Sequence, residues 1–220
     1  MTTLTPAETE RIRNRLATHH LAHGLGTAED ACSISSINLA LTGTLTDDIP
    51  MRMSEVIGRW IIVTQDCIGD RKRNSDRWKA ALMLAAGTGR ERERERLAII
   101  LDWMWERLAL VQPTAEQHGY APEWATMLRE RTDAAAANAA DAAAAVVYAA
   151  YGAAAAASYD AATYAADAAA AASYDADTAW AAADAAAAAD AADAAYTSGA
   201  YDNADYNESA TALLERLVTV

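Results

Sequence analysis

The sequence predicts an all-α protein: an N-terminal helical bundle followed by a long alanine-rich helical region. Three observations lead there. Segments of the first half repeatedly set a capping residue ahead of apolar positions spaced three and four apart. Phe is absent and only 4 of 220 residues are Pro, which disfavours an aromatic-rich β-sandwich or a Pro-rich linker protein. From Asp133 to Ala195 the chain has no proline and one glycine, Gly152, in a background of alanine, the strongest helix former.

Taken in order, TPAETERIRNRLATHHLAHG opens with Thr5 as cap, Pro6 at the first helical position and Glu8 in the first turn. It stops at Gly24, preceded by His19, His20 and His23 near the negative end of the helix dipole. TAEDACSISSINLALTG predicts a second helix, with Thr27 and Asp30 as a capping pair and Gly43 as its stop. After the loop TLTDDIP, Ser54 caps MSEVIGRWIIVTQDCIG. IIVTQ clusters β-branched residues but has no second strand to pair with, so it reads as helix. SDRWKAALMLAAG is a further capped helix. GRERERERLAIILDWMWERLALV then sets Leu97, Ile100, Leu101, Met104, Trp105 and Leu108 on one core-facing stripe, with Trp103 off it toward a second layer. Pro122 starts a helix that runs into alanine with no stop signal.

Unbroken, the roughly 63 residues from Asp133 to Ala195 would form a rod of about 95 Å; a break near Gly152 would give hairpinned helices instead. Ser209 caps a short closing amphipathic helix in SATALLERLVTV. The expected organisation is a helical domain over 1–131, an Ala-rich acidic repeat region over 132–198, and a C-terminal segment over 199–220.

The tetrapeptide SYDA occurs at 158–161 and again at 173–176, a spacing of 15. On a helix that spacing drifts by roughly 60°, so the echo makes no straight stripe. It is also three fives. Cut in fives, ASYDA, ATYAA, DAAAA, ASYDA and DTAWA resemble the A-[DN]-[LF]-x-x pattern of pentapeptide-repeat proteins, which implies a square β-helix as the alternative fold for the tail. Such folds fill their interior with Leu or Phe, whereas most central positions here are Ala, too small to pack it. Helical alanine instead lets backbones approach closely, while Tyr and Trp add larger contacts and Asp keeps outer faces wet.

The net charge of −13 is unevenly placed. Residues 1–131 hold 18 acidic and 17 basic side chains, and residues 132–220 hold 13 acids and one base, Arg216. Such a tail disfavours direct nucleic-acid binding and attracts a basic protein surface. The interaction surface predicted from it comprises Tyr148, Tyr151, Tyr159, Asp160, Tyr164, Asp167, Tyr174, Asp175 and Trp180. The opening residues lack a signal-peptide pattern, and aspartates interrupt every apolar run, so the expectation is a soluble cytoplasmic protein without a membrane span.

Motifs for chemistry are sparse. His19 and His23 stand at i, i+4, a metal-clip spacing without an evident third ligand. Cys32 and Cys67 read as buried free thiols. Gly87-Thr88-Gly89 with Arg90 ahead of a helix is a weak anion-binding candidate, short of either phosphate-loop motif. No catalytic constellation assembles, so neither an enzyme nor a cofactor is expected.

SSINLALTGTLTDDIPMRMSEVIGRWIIVTQD, AAGTGRERERERLAIILDWMW and the closing LLERL resemble a group of Ala-rich proteins encoded in bacterial genomes and phages, to which no function is assigned. The resemblance implies a phage or prophage origin. The expected function is therefore a non-enzymatic interaction or assembly protein that forms homo-oligomers through its alanine tract. The alternative is an acidic nucleic-acid mimic that inhibits a host DNA- or RNA-binding protein.

Overall fold

The computed structural model describes residues 4–150, 153–170, 176–197 and 204–220, with side chains except at 133, 145–150, 153–155, 176, 190, 193–197 and 204. The elements are α1 (Pro6–Thr18), α2 (Ser33–Thr42), α3 (Glu55–Cys67), α4 (Asp70–Arg73), α5 (Asp76–Ala85), α6 (Glu93–Ala109), α7 (Gln112–His118), α8 (Ala121–Glu130), α9 (Asp133–Ala150), α10 (Ala153–Ala170), α11 (Ala176–Thr197) and α12 (Ala204–Leu217). Among the described residues the fold is all-helical; one isolated antiparallel bridge joins Gly26 to Ala31. No helix among them is long and apolar enough to cross a membrane.

The chain divides into two compact units, Met1–Arg96 with Asn207–Val220, and Leu97–Tyr206. The change of composition at residue 131 therefore falls inside the second unit. Alanine helices bury little area per residue, and α6 and α8 supply the same unit with Trp103, Trp105 and Trp124, all buried.

In the first unit, caps set the helix starts. The Thr5 hydroxyl accepts the Glu8 amide at 3.2 Å while the Glu8 carboxylate accepts the Thr5 amide at 2.8 Å, a reciprocal capping box. The Thr5 backbone and hydroxyl, then Arg52, hold the Glu8 carboxyl down to about 2. Ser54 caps α3 through the Ile57 amide at 3.1 Å, so IIVTQ is helical as its lack of a strand partner suggests. The Trp60 and Trp78 rings, 6.2 Å apart, centre a core that includes Ile12, Leu16, Ile34, Ile57 and Leu82.

Two expectations fail here. Thr27 does not start a helix: its hydroxyl accepts the Glu29 and Asp30 amides, and its own amide donates to the Asp30 carbonyl, closing a tight turn. Gly26 makes that turn possible with φ of +74°, where a Cβ would lie 2.0 Å from the Asp30 oxygen. Helix α2 begins only at Ser33, with the Cys32 sulfur accepting the Ser35 amide. Cys67 is exposed, not buried, because it sits at the last turn of α3.

Arg73 is a buried polar hub. It donates to the carbonyls of Leu21 (3.0 Å), Gln65 (2.7 Å) and Ile68 (3.2 Å), thereby satisfying the C-terminal end of α3. The C-terminal helix belongs to this unit from Asn207 onward. Asn207 accepts the Gly69 amide (3.1 Å), Glu208 pairs with Lys72 (2.7 Å) and Arg77, and Glu215 pairs with Arg77 (2.6 Å). Ser209 is not its cap: α12 starts at Ala204, and Ser209 lies within it.

In the second unit, Leu97, Ile100, Met104, Trp105 and Leu108 are buried along α6 as their spacing predicts, with Leu101 half-buried. Trp103 finds its separate layer against Tyr206, 5.8 Å between ring centroids. Helix α8 does not run into the alanine tract. Arg131 breaks it with a left-handed φ of 52°, and Thr132 restarts the chain as α9, its hydroxyl accepting the Ala135 amide. The Arg131 guanidinium then lies 5.8 Å from the Trp105 ring centre and 3.5 Å from Asp102.

The tract is neither one rod nor a β-helix. It forms α9, α10 and α11, with α10 packed against both others. Residues cut above into fives, such as 158–170, are continuous helix. Alanine's propensity wins because a β-helix interior of alanines would gain too little packing.

Candidate functional site

Helix α10 is two-faced. Ser158, Ala161, Ala162, Ala165 and Ala168 are buried, whereas Tyr159, Asp160, Tyr164 and Asp167 are exposed. On an ideal helix the exposed set spans one arc of about 140°. On α11, Thr178, Ala179, Ala182, Ala183, Ala185, Ala186, Ala189 and Ala192 face inward, while Asp177 and Trp180 are exposed and Asp184 is half-buried on the same outward stripe. Many alanines of α10 and α11 are thus consumed by packing within the chain, and the large side chains exposed on these two helices are Tyr159, Tyr164 and Trp180, beside Asp160, Asp167 and Asp177.

These outward residues meet across the helix pair. The Trp180 indole N–H donates to the Asp184 carboxylate one turn on. Burial holds the Asp184 carboxyl above the usual aspartate range, and the indole draws it partly back. Tyr164 lies close enough to Asp184, Asp160 and Asp167 that, after burial, their charges raise its phenol. Tyr159, Tyr164 and Trp180 are 39%, 39% and 38% exposed, whereas Trp60, Trp78, Trp103, Trp105 and Trp124 are all buried. Between residues 132 and 215 the sequence offers no Lys, Arg or His to neutralise this face.

Of the surface predicted from sequence, Tyr159, Asp160, Tyr164, Asp167 and Trp180 come together. The Tyr148 side chain and residues Tyr151, Tyr174 and Asp175 lie outside what the structure describes. Asp184 completes the face and is not distinguished in the sequence from the other tail aspartates. Its signal is the W-x-x-x-D spacing from Trp180, which puts indole and carboxylate on one helix edge. The first SYDA likewise divides by burial: Ser158 is buried, while Tyr159 and Asp160 are exposed.

The remaining sequence candidates sit in the first unit. Thr88 accepts the Ser54 amide (3.0 Å) and donates to the Ala85 carbonyl (2.8 Å), the Gly89 amide donates to the Arg52 carbonyl (2.8 Å), and Arg90 pairs with Glu55 (2.6 Å). Gly87 is exposed at the end of α5. At the neighbouring start of α3, Glu93 accepts the Ser54 hydroxyl (2.5 Å) and the Glu55 amide (2.8 Å), so a carboxylate of the chain itself already takes the anion's place. His19 and His23 do not share a helix face, since α1 ends at Thr18. His20 lies 3.0 Å from Asp70. No group of three or more His, Cys, Asp or Glu suited to a metal occurs among the described residues. A groove of about 260 Å³ between α1 and α5 is lined by Leu16, Ala17, Ala80 and Met83, with its cations engaged: Arg13 by Glu10, Lys79 by the His19 carbonyl.

Comparison with protein-family models, curated proteins and solved structures finds no match.

Proposed function

We propose that this chain is a non-enzymatic protein-interaction module that docks onto a basic protein surface through the outward face of α10 and α11. One observation carries the proposal. Three large exposed aromatics, Tyr159, Tyr164 and Trp180, share α10 and α11 with Asp160, Asp167 and Asp184, whose charges reach the Tyr164 phenol, on a segment with no base between 132 and 215. Exposed aromatics give contact area, and uncompensated carboxylates give attraction and orientation toward positive charge.

Self-association through the alanine tract has less to work with, because its alanine faces are buried within the chain and two copies of an acidic face repel. Mimicry of nucleic acid is the second reading, favoured by the carboxylates sharing one face: a protein that binds phosphates would meet Asp160, Asp167 and Asp184 in their place. Capture from a bacterial lysate, eluted from about 50 to about 500 mM salt, tests both. The outcome expected is basic proteins released by salt and absent with the D160N/D167N/D184N variant. Displacement of those proteins by added DNA or RNA would select the mimic. Identical capture by wild type and variant would overturn the proposal.

A further inference from the structure

We infer that Met51 is a reversible oxidation site, a thioether that the fold presents to hydroperoxides and that methionine sulfoxide reductases restore. The inference is independent of the docking face. The run PMRM at 50–53 holds two methionines one residue apart, and the structure gives them opposite environments. Met51 is 80% exposed, whereas Met53 is fully buried. The Met53 amide donates to the Pro50 carbonyl at 2.9 Å, closing a turn with Met51 at its first corner. Beyond the turn, the Gly89 amide donates to the Arg52 carbonyl (2.8 Å), the Ser54 amide to the Thr88 hydroxyl (3.0 Å), and Arg52 pairs with Glu8. Ahead of it, the Asn38 side-chain amide donates to the carbonyls of Thr46 (2.9 Å) and Asp48 (2.7 Å). Ile49 lies over Gly58, where a Cβ would come within 2.6 Å of its side chain. The turn is therefore held on both flanks by groups other than Met51.

A thioether has no proton to lose, so access to its sulfur rather than ionisation governs its rate. The sulfur lone pair attacks one oxygen of hydrogen peroxide, forming an S–O bond as the O–O bond breaks. The departing hydroxide takes the proton from the new S–OH and leaves as water. Sulfur is oxidised by two electrons and the peroxide is reduced by two. The sulfoxide is polar, and at Met51 it stands where solvent already surrounds the side chain, so no core packing is lost. Met53, Met104 and Met127 are fully buried, and their oxidation waits on local opening of the fold. Met83, half-buried in the groove between α1 and α5, is intermediate.

The experiment treats the full chain with hydrogen peroxide after the exposed Cys67 thiol is capped with N-ethylmaleimide, and follows each methionine's sulfoxide by peptide mass mapping. Met51 is expected to oxidise at least about tenfold faster than Met53, Met104 or Met127. The chain oxidised at Met51 should keep its helical circular dichroism and its denaturation midpoint. The two epimer-specific methionine sulfoxide reductases should then restore the unoxidised mass. In Met51→Leu the fast oxidation should vanish while Met53 reacts at its wild-type rate. Met53 oxidised as fast as Met51 overturns the separation assigned to the turn. Loss of structure on oxidation of Met51, or a sulfoxide there that the reductases leave in place, overturns the reversible site.

Discussion

The two compact units reach the same secondary structure by opposite means. The first closes on large side chains, with Trp60 against Trp78 and isoleucines around them, and its helix starts are set by Thr5, Ser54 and Ser75. Its surface charges are largely paired within the unit, as Arg52 with Glu8, Arg90 with Glu55 and Arg77 with Glu208 and Glu215. The alanine helices of the second unit rely on propensity and close approach, and carry aspartates with no base in the sequence between 132 and 215. Among the described residues, the alanine segment spends many of its small side chains on packing and leaves Tyr159, Tyr164 and Trp180 outside. That is how Tyr159, Tyr164 and Trp180, the aromatics of the proposed docking face, come to lie on the region of lowest sequence complexity.

The contrast can be broken by substitution. Trp78→Ala should cost about 3–5 kcal/mol, read by chemical denaturation, because the ring is fully buried beside Trp60. In the tract the sensitivity reverses, and enlarging is the harmful change. Ala182→Leu, at a fully buried position, should cost about 1–3 kcal/mol by overpacking, against within about 0.5 kcal/mol for Leu at the exposed Ala170. Thr5→Ala should cost about 1 kcal/mol by removing one half of the α1 capping box.

The smallest effect concerns the acid pairs of α12. Lys72 and Arg77 hold the Glu208 carboxyl down to about 2, and Arg77 lowers that of Glu215. A carboxylate with a depressed folded-state pKa contributes stability above its ordinary value near 4.5 that is lost as pH falls through about 2. Thermal melts across that window should show the melting temperature falling on acidification, with a shallower fall in Arg77→Met. These pairs are partly solvated, so added salt should weaken them as well.

Much of the helical layout is legible from caps and periodicity. The α6 stripe, the displaced Trp103 and the Ser54 and Ser75 caps follow from local spacing. What is not legible depends on competition between local motifs or on distant contacts. Thr27 and Asp30 satisfy a helix cap and a tight turn equally well, and Gly26 decides for the turn by pairing back to Ala31. Arg131 gives no stop signal as a non-glycine residue in left-handed conformation, and its contacts with Trp105 and Asp102, about thirty residues away in sequence, reward the break. The aromatic members of the proposed docking face show in the sequence as Tyr and Trp amid alanine. Asp184 is hidden among its fellow aspartates, because half-burial against a neighbouring helix is a tertiary property.

Trp180 makes the direct test possible, since the other tryptophans are buried. Acrylamide quenching of tryptophan emission should find an accessible fraction in the free chain that disappears in Trp180→Leu. Saturating oligo-arginine, standing for a basic protein surface, should protect that fraction in the wild type. Bound oligo-arginine that leaves Trp180 as open to acrylamide as before would contradict a docking face on α10 and α11.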